Sequence, residues 1–161
     1  MTSEIDVTNT EGAIMQAETQ SPEQIIEKGR NAAKVLAKVI AAQKDKVVIN
    51  GKQYLQFHDW QTIAKFFNCT VGIENSEPLY EEGKVVGYEA KAYVTNAEGV
   101  PISSAESSCY FTEKNWQNKE KFQVRSMAQT RACVKALKNV FSWVIVLAGY
   151  NPDNTAVPIE K

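Results

Sequence analysis

Three strand-like segments joined by very short connections constrain this chain most. Thr70 to Ile73 opens a strand that runs toward Tyr80. Val85 to Thr95 alternates, with Val86, Tyr88, Ala90, Ala92 and Val94 on one face. Val100 to Phe111 forms a third strand, rich in small residues (Ser103, Ser104, Ala105, Ser107, Ser108). Glu81-Glu82-Gly83-Lys84 and Asn96-Ala97-Glu98-Gly99 are the turns between them. Turns this short join antiparallel neighbours, because parallel strands need a crossover of about a dozen residues or more. The pattern therefore predicts an α+β fold and argues against a doubly wound parallel sheet.

Helical signals flank this meander. Ser21-Pro22-Glu23-Gln24 supplies a capping serine, a proline at the first helical position and a glutamine to complete a capping box. Ile25, Ile26, Ala32, Ala33, Leu36, Val39 and Ile40 follow at helical spacing, with Arg30, Lys34 and Lys38 stacked on another face. That helix should fade near Gln43–Asp45. Val47-Val48-Ile49, Asn50-Gly51 and Lys52 to Phe57 predict a tight hairpin. Asp59 is placed to cap a short helix from Trp60 to Asn68, with Trp60, Ile63, Ala64 and Phe67 facing inward. After a polar loop, a long helix is expected from about Glu120 to Ala148, bending near Ser142. Gly149 is its C-terminal cap and Pro152 its stop. The expected architecture is an antiparallel β-meander, a βββα core packed on a long C-terminal helix, preceded by an N-terminal helix, a β-hairpin and a short helix. Residues 1–20 read as a disordered acidic tail, 21–150 as a single domain and 151–161 as a short C-terminal tail. No internal repeat is present.

Composition narrows the chemistry. Cys69, Cys109 and Cys133 are odd in number and widely spaced, which suits a reducing cytoplasm better than a disulfide framework. Cys69 and Cys109 read as small buried fillers. His58 is the only histidine and reads as a loop residue, which disfavours a zinc site, metal-hydrolase chemistry and Ser-His nucleophilic chemistry. No metal or organic cofactor is expected. The longest apolar run, Trp143 to Ala148, is far short of the roughly 18 residues of a membrane span, so no membrane partner is expected. Glu82-Gly83-Lys84 lacks the earlier glycine and the Ser/Thr of a phosphate-binding loop, so nucleotide-driven chemistry is not expected.

Charge is unevenly distributed. Residues 1–29 hold six acids and one base, whereas 30–161 hold 17 bases and 13 acids. Within 112–140 there are seven bases and two acids. At 100° per residue, Ser126, Thr130, Cys133, Leu137, Val140 and Phe141 share one side of the long helix, expected to pack on the sheet. Arg131, Lys135 and Lys138 cluster opposite, flanked by Lys121. Arg131 to Lys138 spans roughly 10 Å at the helical rise, enough for about two consecutive phosphates. No acid lies between Glu120 and Asp153, so local neutralisation of this stripe is not expected. The loop before the helix adds Lys114 and Lys119 beside Trp116, which either stacks a base or anchors the loop in the core. The hairpin adds Lys46 and Lys52. Cations interleaved with an aromatic suit a single strand.

The βββα order, the Ser-rich strand and the run Arg125-Ser126-Met127-Ala128-Gln129-Thr130-Arg131-Ala132-Cys133-Val134-Lys135-Ala136-Leu137 resemble the single-strand annealing superfamily. That superfamily includes the phage Sak, ERF and Redβ types and the eukaryotic Rad-fifty-two protein. Val134-Lys135-Ala136-Leu137-Lys138 is similar to the helix segment that lines the DNA groove in those proteins. The resemblance covers about residues 46–150. It implies single-stranded DNA as partner, annealing without ATP or other cofactor, and assembly as a homo-oligomeric ring or filament. Lys135, Lys138 and Arg131 would take phosphates, with Lys121 and Arg125 beside them. Some members recruit a single-strand-binding protein, a further candidate partner, through a long C-terminal extension. Residues 151–161 are too short for a second domain of that kind.

Two rival readings remain. Glu89 and Lys91 share a strand face and, with an upstream acid from Asp59 or Glu74, would form a metal-dependent nuclease site. The other rival is an oligomeric structural or interaction protein with no DNA role.

Overall fold

The computed structural model describes residues 19–155, so the acidic segment 1–18 and the last six residues lie outside it. The elements are α1 (Pro22–Ala42), β1 (Val47–Ile49), β2 (Lys52–Tyr54), α2 (Phe57–Phe66), β3 (Thr70–Glu81), β4 (Lys84–Thr95), β5 (Pro101–Tyr110) and α3 (Lys121–Leu147). The fold is α+β. β3, β4 and β5 form an antiparallel sheet in that order, and β1–β2 a separate two-stranded hairpin. Asn50 (φ 52°) and Gly51 (φ 77°) both take positive φ, as a two-residue hairpin turn with right-handed strand twist demands.

α1 begins as its sequence specifies. Ser21 Oγ accepts from Gln24 N–H at 3.2 Å, and Ser21 N–H donates to Gln24 Oε1 at 2.8 Å. Its buried stripe is narrower than the apolar count suggests: Gly29, Ala33, Leu36 and Ile40 are inside, while Ile25, Ile26 and Val39 are 38–41% exposed. α2 starts three residues earlier than expected. Asp59 therefore sits one turn inside the helix, where its buried carboxylate accepts Gln56 N–H at 2.7 Å and Gln43 Nε2–H at 2.6 Å. That carboxylate ties the end of α1 to the start of α2. His58 is consequently in the first turn of α2, with its side chain half exposed. Beyond α3 the chain returns to the hairpin, and Leu55 N–H donates to Asn154 O at 2.8 Å. Residues 151–155 therefore continue the domain.

α3 lies between the sheet on one side and α1 and α2 on the other. Ala128, Ala132 and Ala136, all fully buried, fall at helical angles between residues that reach β3 (Arg125, Gln129) and residues that reach β5 (Arg131, Lys135, Asn139). This alanine stripe faces the sheet. The Phe141 side, expected on the sheet, instead meets the helical layer: Phe67, the residue closing α2, packs against Phe141 with centroids 5.4 Å apart and against Trp143 at 6.1 Å. The reason is volume. Small side chains let a helix approach a sheet closely, and the larger Leu137, Phe141 and Val144 fill the wider gap to a second helical layer. Leu36, Ile40, Leu55, Ile63, Leu137 and Ile145 are at most 1% exposed, each contributing about 2 kcal/mol of burial.

Gly29 sits where α1 and α3 approach closely, against Trp143 and Leu147. A Cβ there would stand 2.2 Å from Trp143 Cζ3. The indole has little room to yield, because its Nε1–H donates to Val140 O at 3.0 Å and its ring packs on Phe67. Gly29→Ala gains about 1 kcal/mol in helix propensity but overpacks this contact by about 1–3 kcal/mol. The expected outcome is net destabilisation, read as a lower urea midpoint with an unchanged m-value.

Candidate nucleic-acid interface

The alanine stripe determines what the basic residues of α3 touch. Four residues of helix advance about 6 Å and two residues of strand about 6.6 Å, so every fourth residue of α3 keeps step with every second residue of β5. The contacts follow that match in antiparallel order. Arg131 Nη1 donates to Ser108 O at 2.9 Å, Lys135 Nζ to Glu106 O at 3.3 Å, and Asn139 Nδ2 to Ser104 O at 3.4 Å. One bond runs the other way, from Ser103 Oγ to Ala136 O at 2.9 Å. β5 is an edge strand, and these alternate carbonyls face away from β4. The α3 side chains therefore satisfy groups that would otherwise offer a template for another strand.

Arg131 is the most constrained cation. It pairs with Glu113 through both terminal guanidinium nitrogens, Nη2 to Oε1 at 2.8 Å and Nη1 to Oε2 at 3.0 Å. Glu113 Oε2 also accepts Tyr110 N–H at 2.7 Å. The hydrogen bond from Arg131 holds the Glu113 carboxyl below its ordinary range, assisted by Tyr110 and opposed by burial. Burial works against the Arg131 charge, but the bond and charge of Glu113 outweigh it and raise the guanidinium pKa. Lys138 lies 3.8 Å from Asp153. The expectation that nothing neutralises the stripe is thus corrected. The acids come from the loop after β5 and from the returning C-terminal segment, which folding brings beside the helix.

The remaining candidates are dispersed. Arg125 Nε donates to Ser76 Oγ at 2.6 Å, and Gln129 Nε2 donates to the same oxygen at 3.2 Å, on the β3 flank of α3. Lys121 and Lys114 are exposed at the start of α3 and in the loop before it, and Lys119 is half-buried. Lys52 is exposed on the hairpin, away from the α3 flank. Trp116 is 3% exposed, so its ring anchors the loop in the core and stacks no base. The aromatic that sequence reasoning missed is Phe122, 66% exposed between Lys121 and Arg125. Its signal was a first-turn position with cations on either side, ahead of the alanine stripe that carries the packing.

Glu89 and Lys91 share the sheet face turned away from α3, where Lys91 pairs with Glu74, one of the two acids considered beside them, at 3.1 Å and Glu89 lies opposite Glu77. Asp59 is committed to the α1–α2 junction. Among the described residues no three His, Cys, Asp or Glu side chains are grouped to hold a metal ion. The three cysteines are unpaired. Burial pushes the Cys109 thiol up to about 12 and the Cys133 thiol up to about 11, which leaves both as inert packing groups. No helix of the described residues is long and apolar enough to cross a membrane. No family model matches the chain, and no curated protein matches it.

The Glu113–Arg131 pair has a signature in pH. The Glu113 pKa is depressed in the folded state, so between the folded value and the ordinary 4.5 the unfolded chain holds a proton the folded chain lacks. The pair's stabilisation is full above that window and disappears as pH falls through it. Glu113→Gln is expected to cost about 1 kcal/mol at neutral pH, discounted for partial exposure. Thermal melts from about pH 6 to 3 should show a shallower acid-side loss in Glu113→Gln than in wild type.

Proposed function

We propose that this protein binds single-stranded DNA without base preference and anneals complementary strands as an oligomer, without a nucleotide cofactor. The observation that carries the reading is the basic flank of α3 on a βββα core. Arg131 and Lys135 lie along the β5 edge and Lys138 follows beside Asp153, the three spanning roughly 10 Å of the helix. Backbone contacts of this kind carry no sequence information, so binding is base-independent. A strand laid along the flank has its phosphate charge partly neutralised while its base edges stay available, and a complementary strand then pairs. The resemblance to single-strand annealing proteins supports the same assignment.

The partners of these cations set the strength of the site. Lys135 is exposed and held by one long bond to a carbonyl, which a phosphate replaces at little cost. Arg131 is already matched by a carboxylate, so a phosphate must compete with Glu113. One protomer therefore binds weakly, and repetition around an oligomer supplies the affinity. The same edge contacts favour one rival, an oligomeric interaction protein whose α3 cations serve only the fold.

Fluorescence polarisation of labelled oligo-dT across a salt series separates the two. Wild type should bind at low salt and weaken steeply as counterion release predicts. Lys135→Gln/Lys138→Gln keeps a hydrogen-bond donor at each position but should flatten the log–log salt slope by about 1.4, two contacts at about 0.7 each. No wild-type binding at about 50 mM salt sinks the DNA reading.

Glu113→Gln provides a second check with opposite signs. It should lower stability while tightening oligo-dT binding severalfold, because Arg131 loses its competing carboxylate. Weaker binding in this variant, with its fold intact, would show that Arg131 does not reach the strand.

A further inference from the structure

Phe122 is the most exposed of the large hydrophobic side chains in the described residues, at 66%. Burying a phenyl ring is worth about 1.5–3 kcal/mol, and the fold forgoes that gain here. The surroundings are cationic. Lys121 is adjacent and exposed, and Arg125 is one turn along with its guanidinium steadied by Ser76 Oγ at 2.6 Å. Lys114 is exposed in the preceding loop, and Glu120 is the acid at the start of the helix. A second exposed ring lies at the same end of the domain. β5 runs opposite to α3, β4 opposite to β5 and β3 opposite to β4, so β3 also runs opposite to α3. Ser76 meets α3 at Arg125, which places Tyr80, 64% exposed, further toward the end where α3 begins.

We infer that Phe122 stacks an unpaired base of the bound strand, with Lys121 and Arg125 taking the phosphates on either side. This rests on the single-strand-binding reading and adds to it a contact with the bases themselves. A π face accepts any base, so the contact preserves base independence while favouring unpaired strands over duplex, whose bases are stacked on one another. It also gives the start of α3 the role that the buried Trp116 does not fill.

The test crosses ring removal with base removal. Wild type, Phe122→Ala, Phe122→Leu and Phe122→Trp are titrated against labelled oligo-dT and against an abasic deoxyribose-phosphate strand of equal length. Phe122→Ala should bind oligo-dT at least about fivefold more weakly and bind the abasic strand as wild type does. Phe122→Leu, apolar but without a π face, should behave like the alanine variant. Phe122→Trp should retain binding, and the introduced indole's emission should be quenched by oligo-dT and not by the abasic strand. Equal effects on both strands, no effect on either, or a changed oligomeric state at unchanged DNA affinity would overturn the assignment while leaving single-strand binding in place. Failure of wild type to bind either strand would instead remove the reading on which it rests.

Discussion

The close approach of α3 to the sheet governs the rest of this structure. Ala128, Ala132 and Ala136 face strands whose α3 side carries Ala90, Ala92, Ser103, Ala105 and Ser107. Where these small side chains meet, helix and sheet come near enough for Arg131, Lys135 and Asn139 to reach backbone carbonyls of β5. A larger residue at Ala132 would lift the helix and break several of those bonds at once. The packing term and the polar term therefore stand or fall together.

On the proposed single-strand-binding reading, Arg131 and Lys135 have two roles that compete, bonding the β5 edge and taking a phosphate. A bond from a cation to a carbonyl is charge-assisted on the donor side only, whereas a phosphate brings the opposite charge as well and holds the cation more strongly. Lys135 therefore exchanges its partner readily. Arg131 does not, because its bidentate pair with Glu113 is already charge-assisted and partly shielded from water. The basic stripe is thus graded, with Lys135 the most available group and Arg131 the least.

Much of the architecture was legible in the sequence because local signals agreed. The capping box at Ser21, the Asn50-Gly51 turn, the short connections of the meander and the Gly149 stop each fix a local conformation on physical grounds. The faces of α3 were less legible. A helix buried on two sides has no single apolar moment, and the sheet-facing residues were alanines, which a search for bulky apolar positions passes over. The partners of the cations were hidden for a different reason. Glu113 and Asp153 are separated from Arg131 and Lys138 along the chain, and only the register of β5 on α3 brings the first pair together. Trp116 and Phe122 show the same limit: composition identifies aromatics near cations, but burial decides which of them meets solvent.

The two sheet edges also differ in how they meet a partner. A strand adding to β5 must displace three side-chain bonds to the edge carbonyls, together with the bond from Tyr110 N–H to Glu113. At about 1 kcal/mol each, these oppose strand addition by several kcal/mol. β3 is guarded otherwise, by Pro78, which has no N–H to offer, and by irregularities in its register after Ile73 and after Leu79. By contrast, α1 leaves Val35 49% and Val39 39% exposed, and Val35 lines a shallow groove with Phe66. Apolar surface of that kind gains from being covered and has no existing bonds to surrender. For the proposed oligomer, contact between copies is therefore less costly through the helical layer than through the sheet, and such a contact leaves the α3 flank that carries Arg131 and Lys135 uncovered.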